Sequence, residues 1–283
     1  MTTNQATMDA ALKWTARRPS EITGPKVETI TCKCGSVFEW ENPLDYSSDF
    51  LRPSLCESCA EKEEIERETQ RKVKAEEEER QRVIDLTAST IARLRDKTPA
   101  RFQATDITHA AFNRELWRKV KPWFPTDDMP FLGLVGESGA SKTRIGFLLL
   151  RELLLASIGD NSKAATFDIV SGYEFADLAR NQYSKQMPDS WTANNITVGE
   201  LYRRRLDRMA KVGILLFDDM GKARNTPAAS AELFTIIDMR HKENLATIWT
   251  ANSPPEVIVQ GMSEDLAGPL AGRLIECSTI ITV

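Results

Sequence analysis

The sequence predicts an α/β fold built on a mostly parallel sheet. Three observations lead there. From residue 100 onward, short apolar runs alternate with longer segments of helical length and composition. One run, Phe131–Val135, feeds a glycine-containing turn that opens a helical segment. Another, Gly213–Phe217, ends in two adjacent aspartates. Strands that alternate with helices pair in parallel and need helices over both faces.

The elements follow in chain order. Residues 1–30 show no clear period and read as a flexible arm. Residues 31–60 hold four cysteines among turn formers (Gly35, Asn42, Pro43, Pro53) and read as a small metal-stapled module. Residues 61–98 read as a charged helical linker. There Glu63–Arg67, Glu68–Lys72, Glu76–Arg80 and Glu78–Arg82 are i,i+4 pairs with the acid first, the better orientation on a helix. Only Ile65 and Val73 are apolar before Val83, so a solvated spacer is favoured over a coiled coil. An apolar face emerges at Ile84, Ala88, Ile91 and Leu94, and Pro99 ends the helix. Residues 99–283 form the main domain. In it, Ile145–Ala156 reads as a buried helix, Ala165–Val170 as a strand and Glu174–Ser184 as a helix. Leu201–Ala210 reads as a basic helix, Ala229–Glu243 as another helix and Ala246–Ala251 as a strand. No internal repeat is visible.

Bulk properties bound the function. A chain of 283 residues suits one good-sized domain plus a smaller one. An apolar fraction of 41% supports a packed core. A net charge of -4 excludes a uniformly basic nucleic-acid binder, although 37 Lys and Arg leave room for a local basic patch. The most apolar run, Ile145–Ile158, is interrupted by Arg151 and Glu152 and is too short to span a bilayer. The N-terminus lacks the basic-then-apolar pattern of a signal peptide, so a cytoplasmic protein without membrane contact is expected. Clustered cysteines in a reducing compartment are metal ligands more often than disulfides.

The turn after Phe131–Val135 is Gly136-Glu137-Ser138-Gly139-Ala140-Ser141-Lys142-Thr143. Strand, glycine-containing loop and helix is the context a phosphate-binding loop needs. Its backbone N–H groups curl around phosphate oxygens, and the helix N-terminus adds partial positive charge. Lys142 reaches the β- and γ-phosphates, and the Thr143 hydroxyl ligates Mg²⁺. Ser141 stands where the motif has glycine. The plain alternative is an ordinary strand–turn–helix junction with a surface lysine. Asp218 and Asp219 follow a buried strand at the same sheet edge. Asp218 then holds Mg²⁺ and Asp219 orients or deprotonates the attacking water. Aspartate is one methylene shorter than the glutamate usual at that position, so slow hydrolysis is anticipated. Asn252, after Thr250 and Ala251, offers a polar contact to the γ-phosphate or its water. Arg273, in Leu270-Ala271-Gly272-Arg273-Leu274, suits an arginine finger that reaches a neighbour's nucleotide; the alternative is a surface arginine.

Together these residues resemble an AAA+ ATPase domain of the DnaC/DnaI helicase-loader and IstB group over residues 100–283. The lead-in Thr98-Pro99-Ala100-Arg101-Phe102 and the helix segment Ile237-Asp238-Met239-Arg240 belong to the same resemblance. It implies Walker A residues Lys142 and Thr143, Walker B residues Asp218 and Asp219, sensor 1 at Asn252 and the finger at Arg273. It also implies self-association through AAA+ domains. The chain ends at Val283, soon after Arg273, so a domain without the helical lid is expected.

Cys32 and Cys34 form a C-x-C pair, and Cys56 and Cys59 a C-x₂-C pair. Four thiolates on two short knuckles suit tetrahedral Zn²⁺. The metal would replace a core that so short a module cannot build. Loaders of the DnaI kind also carry an N-terminal zinc module, which by resemblance docks on a hexameric replicative DNA helicase. Arg203, Arg204, Arg205 and Arg208 crowd about two helical turns beside Tyr202, which suits single-stranded DNA; a solvated or subunit-contacting face explains them equally. Arg118, Lys119 and Lys121 with Trp117 and Trp123 form a second basic patch.

The leading expectation is an ATP- and Mg²⁺-dependent helicase loader acting on single-stranded DNA. The alternatives are an IstB-like transposition helper and a nucleotide-switched adaptor with little hydrolysis. Divergent motifs point toward a phage or mobile-element protein.

Overall fold

A computed structural model describes residues 26–42, 53–104, 107–110, 112–161, 165–188, 196–222 and 226–283. The chain divides into two compact units, Met1–Glu79 and Arg80–Val283. Most of the expected arm lies outside the described residues, and its last part is a strand, β1 (Lys26–Thr31).

In the first unit, β1 pairs antiparallel with β2 (Val37–Asn42), with Thr31 opposite Val37 beside the turn. The turn closes when the Cys32 N–H donates to the Ser36 carbonyl at 2.8 Å. Gly35 takes the left-handed conformation that this turn needs (φ +90°). Ile30 and Cys32 are buried among the described residues of the hairpin, so its apolar core is minimal. Helix α1 (Glu57–Lys97) is 41 residues long and starts directly after Cys56. It exceeds the expected linker at its N-terminal end because no glycine or proline interrupts it. Two of the anticipated pairs, Glu63–Arg67 at 3.1 Å and Glu68–Lys72 at 2.7 Å, line its exposed surface.

The second unit is organised by a five-stranded sheet: β3 (Phe131–Val135), β4 (Phe167–Ser171), β5 (Ile214–Asp218), β6 (Ala246–Ala251) and β7 (Ser278–Thr282). The strand order is β4-β5-β6-β3-β7, and every pairing is parallel. Between the strands run α2 (Ala100–Gln103), α3 (Arg114–Val120), α4 (Lys142–Asn161), α5 (Gly172–Asn181), α6 (Val198–Lys211), α7 (Pro227–Lys242), α8 (Pro255–Ile258) and α9 (Glu264–Glu276).

The strands alternate sides residue by residue. Leu132, Leu134, Leu216 and Ile248 pack with Leu94, Phe102, Leu116 and α4. Phe131, Val135, Leu215, Phe217 and Trp249 pack with α5, α6, α7 and α9. Both faces are covered, which is why these strands read as continuous apolar runs. Gly133 faces Trp249 across the β3–β6 pair, and a Cβ there would lie 2.3 Å from the indole. Glycine at that place lets the large ring lie over the sheet.

Arg240 of α7 is completely buried. It donates to Thr247 Oγ1 at 2.8 Å and to the carbonyls of Met209, Val212 and Ala246 at 2.9, 2.7 and 2.6 Å. It thus ties the end of α6 to the start of β6. Burial pulls its proton affinity down, to a pKa of about 9. In the second unit five elements were not legible in the sequence: α2, α3, α8, α9, which carries Pro269 inside it, and β7. No helix among the described residues is long and apolar enough to cross a membrane. A five-stranded parallel sheet with helices on both faces fits a P-loop AAA+ fold.

Candidate nucleotide site and metal centre

The C-terminal ends of β3, β5 and β6 lie side by side, because β6 separates β3 from β5. A candidate site residue stands at or directly after each end: Gly136, Asp218 and Asn252. The loop after β3 leads into α4, whose first residue is Lys142. Lys142 is buried, and its Nζ donates to the carbonyls of Gly136 at 2.8 Å and Glu137 at 2.7 Å. A third bond reaches Asn252 Oδ1 at 3.1 Å. The loop therefore curls around its own ammonium group. Burial pulls the Lys142 pKa down, and the Asp219 and Asp218 carboxylates pull it partly back.

Thr143 Oγ1 donates to Asp218 Oδ1 at 2.8 Å, and Thr250 Oγ1 donates to the same oxygen at 2.8 Å. Burial raises the Asp218 pKa, and the two hydroxyl donors offset part of the rise. An acidic oxygen held beside a threonine hydroxyl in a half-dry place is a donor set suited to a hard divalent cation. Asp219 takes a left-handed backbone (φ +56°), and its N–H donates to Thr250 Oγ1 at 2.8 Å. Its carboxylate pairs with Lys222 at 2.8 Å.

Ser141 also has a left-handed backbone, φ +69°. The residue keeps the geometry that the glycine of the usual motif supplies, at the steric cost of a Cβ. Gly136 (φ +156°) and Gly139 (φ +91°) complete the loop's curvature. Around these groups opens a cleft of about 400 Å³, lined in part by Ser138, Gly139, Lys142, Thr143, Asp219 and Asn252. Arg101, Phe102, Arg144 and Lys222 line it as well. The Arg101 and Arg144 guanidiniums lie 4.4 and 5.3 Å from the Phe102 ring centroid.

The structure thus brings Gly136–Thr143, Asp218, Asp219 and Asn252 together. Arg273 does not line this cleft. It sits on α9, where it is ion-paired with Asp238 and lies 4.8 Å over the Phe234 ring of α7. The four arginines of α6 do not share one role. Arg205 donates to the Ile169 carbonyl at 3.1 Å and pairs with Glu174 at 2.9 Å. Both Arg205 and Arg208 come within 3.9 Å of the buried Asp168 carboxylate, which Lys97 also contacts. Arg204 pairs with Glu200 on its own helix at 3.0 Å, and Arg203 is exposed. Sequence reading passed over Lys222, although it follows the acidic turn directly. It had Arg101 in view only as part of a lead-in, since nothing local shows that the segment folds back to the loop.

In the first unit, the sulfurs of Cys32, Cys34, Cys56 and Cys59 lie within 4.8 Å of one another. Cys34 Sγ and Cys56 Sγ are 3.7 Å apart. A tetrahedral site with Zn–S bonds of ~2.3 Å sets sulfurs about 3.8 Å apart. The thiols are unequal. Ser36 donors hold Cys34 down to about 6, while Cys59, hydrogen-bonded to its sulfur neighbours, is pushed up to about 12. Four such sulfurs in one place favour a cation that lets all ionise. The donor set and spacing fit a tetrahedral metal. The remaining cysteine, Cys277, is buried in the second unit.

No protein-family model matches the sequence, and no curated protein matches it. Solved structures do resemble it. A DnaI structure is 18% identical with a TM-score of 0.43, covering 68% of this chain and 93% of that one. A DnaC helicase loader is 19% identical with a TM-score of 0.38, covering 68% and 98%. AMPPCP-bound DnaA from Aquifex aeolicus is 16% identical with a TM-score of 0.41, covering 63% of this chain and 48% of that one. The chain thus spans about half the length of the DnaA structure. The chain's five-stranded parallel sheet with helices over both faces fits a P-loop AAA+ fold.

Proposed function

We propose that this chain is an ATP-dependent loader of a replicative DNA helicase, with slow hydrolysis. One observation carries the nucleotide reading. Lys142 bonds Asn252, and Thr143 and Thr250 both bond Asp218, so three strand ends far apart in the chain meet beside one cleft that Lys142, Thr143 and Asn252 line. Bound Mg²⁺·ATP supplies the phosphoanhydride bond and a cation that spreads charge from the γ-phosphate.

Each residue then has a role. The backbone of Gly136, Glu137, Ser138, Gly139, Ala140 and Ser141 cradles the phosphates. Lys142 leaves its carbonyl partners for β- and γ-phosphate oxygens. Thr143 and Asp218 hold Mg²⁺. Asn252 contacts the γ-phosphate or its water, and Asp219 orients that water. Arg273 acts on a neighbouring subunit's nucleotide after its pair with Asp238 opens. Zn²⁺ is held by Cys32, Cys34, Cys56 and Cys59, and that module docks on the hexameric helicase. Single-stranded DNA follows the exposed arginines of α6, Arg203 and Arg204, with Arg205 and Arg208 fixing the helix to β4.

The test is co-sedimentation of the full chain with a replicative helicase, with and without ATP, alongside DNA-stimulated phosphate release. ATP-dependent capture of the helicase is expected from the wild type and not from Lys142→Ala. Normal ATP affinity in Lys142→Ala would sink the P-loop assignment. Failure to bind helicase, with binding to duplex DNA instead, points to the IstB-like alternative.

The adaptor reading, in which nucleotide switches assembly with little turnover, is favoured by one observation. Asp219 is both short and neutralised by Lys222. Tight ATP binding with no DNA-stimulated turnover would support it.

A further inference from the structure

The turn that carries Asp219 also carries a cation into the cleft. Asp219 and Gly221 both have left-handed backbones, φ +56° and +82°. The Lys222 N–H donates to the Asp219 carbonyl at 3.2 Å, and the Met220 N–H donates to the Thr250 carbonyl at 2.7 Å. On the other side, Gly172 passes so close that a Cβ there would lie 2.4 Å from the Asp219 carbonyl oxygen. The turn is therefore held from β6 and from the start of α5. It gives Lys222 a fixed mounting and a mobile four-carbon stem.

The Lys222 ammonium sits 2.8 Å from Asp219 Oδ2 and 5.9 Å from the centre of the Tyr173 ring. It lines the same cleft as Ser138, Gly139, Lys142 and Asn252. Lys142 and Lys222 both line the cleft, and the two like charges repel, so the space favours an anion. The Lys222 side chain remains 44% exposed. Ion pairs in such surroundings are weak and open readily.

We propose that Lys222 is a positioning residue that tells nucleoside triphosphate from diphosphate by exchanging partners. This rests on the nucleotide reading above. With the terminal phosphate absent, Lys222 holds the Asp219 carboxylate. With a terminal phosphate in the cleft, the ammonium turns to its oxygens and leaves Asp219 free to accept a hydrogen bond from water. No covalent change occurs in the exchange. Lys142, in the loop, grips the phosphates that both nucleotides share. A second ammonium beyond it adds preference for the extra charge of the triphosphate.

The experiment measures binding of ADP and of a β,γ-methylene ATP analogue to the full chain by titration calorimetry, for wild type, Lys222→Met and Lys222→Arg. One lost charge-assisted hydrogen bond corresponds to roughly a ten- to hundredfold change. Lys222→Met should therefore weaken the ATP analogue by about that factor and leave ADP unchanged. Lys222→Arg should restore most of the preference. Asp219→Asn removes the competing acceptor, so it should tighten the analogue, and the gain should vanish in the double variant with Lys222→Met. An equal loss for both nucleotides, or no loss for either, overturns the proposal. If the wild type binds neither nucleotide, the nucleotide reading fails first and takes this inference with it. Circular dichroism of each variant separates these outcomes from misfolding.

Discussion

Asp218→Asn exchanges one oxygen for a nitrogen at the point where Thr143 and Thr250 both donate. The remaining amide oxygen can accept both bonds, so local geometry should survive. What disappears is a negative charge that burial disfavours, as its raised pKa records. The variant should therefore be more stable than the wild type without ligand, by about 1 kcal/mol, the usual scale for relieving a strained functional position. For a domain of this size that corresponds to a Tm increase of roughly 2–4 °C. The sign of the pH dependence follows from the shift. A carboxyl whose folded pKa is raised has its full stability at low pH and loses it as pH rises through that pKa. The advantage of the variant should thus be present at neutral pH and close as pH falls into the acid range.

Mg²⁺·ATP should reverse the ranking. A ligand at a hundred times its Kd stabilises by about 2.7 kcal/mol, and the variant should lose most of that gain. Thermal melts by differential scanning fluorimetry, with and without Mg²⁺·ATP analogue, give both quantities. A variant less stable than wild type without ligand would show that the Asp218 charge is not a burden on the fold. An equal ligand-induced shift in both proteins would remove Asp218 from the cation site.

Three further outcomes are expected. Metal analysis should find one zinc per chain, and a chelator should abolish the structure of the first unit while the sheet domain keeps its own melting transition; a metal-free folded hairpin would exclude the four-thiolate site. Arg240→Met removes the Arg240 donors from three carbonyls and from Thr247, so urea denaturation should show a loss of about 3–5 kcal/mol; a loss under about 1 kcal/mol would mean that α6 and β6 do not depend on it. Arg273→Ala should leave ATP affinity intact and lower turnover only at concentrations where the protein self-associates; turnover unchanged at every concentration would limit Arg273 to bridging α9 and α7.

Composition and local pattern carried much of this protein. Phe131–Val135 and Gly213–Phe217 were legible as strands because burial on both faces makes a strand apolar throughout. Gly136–Thr143 was legible as a strand–turn–helix junction because its glycines permit the curled backbone. The charged spacing of α1 announced a helix through i,i+4 pairs, and the two cysteine pairs announced a shared sulfur cluster through their short spacing. What stayed hidden depends on contacts between residues far apart in the chain. β7 is a short β-branched run that becomes a strand only because β3 offers it an edge. The four arginines of α6 look alike in sequence, yet Asp168 and the carbonyls of β4 claim two of them. Arg273 reads as a free cation until α7 presents Asp238 and Phe234 to it. Lys222 gained a meaning only when the turn after β5 folded against Thr250 and Gly172 and set its ammonium beside Asp219. By itself the sequence determined which segments curl into the loop after β3 and which bring four cysteines together. The tertiary structure decided which charges face the cleft and which are spent inside the fold, because that depends on what each side chain meets across the sheet.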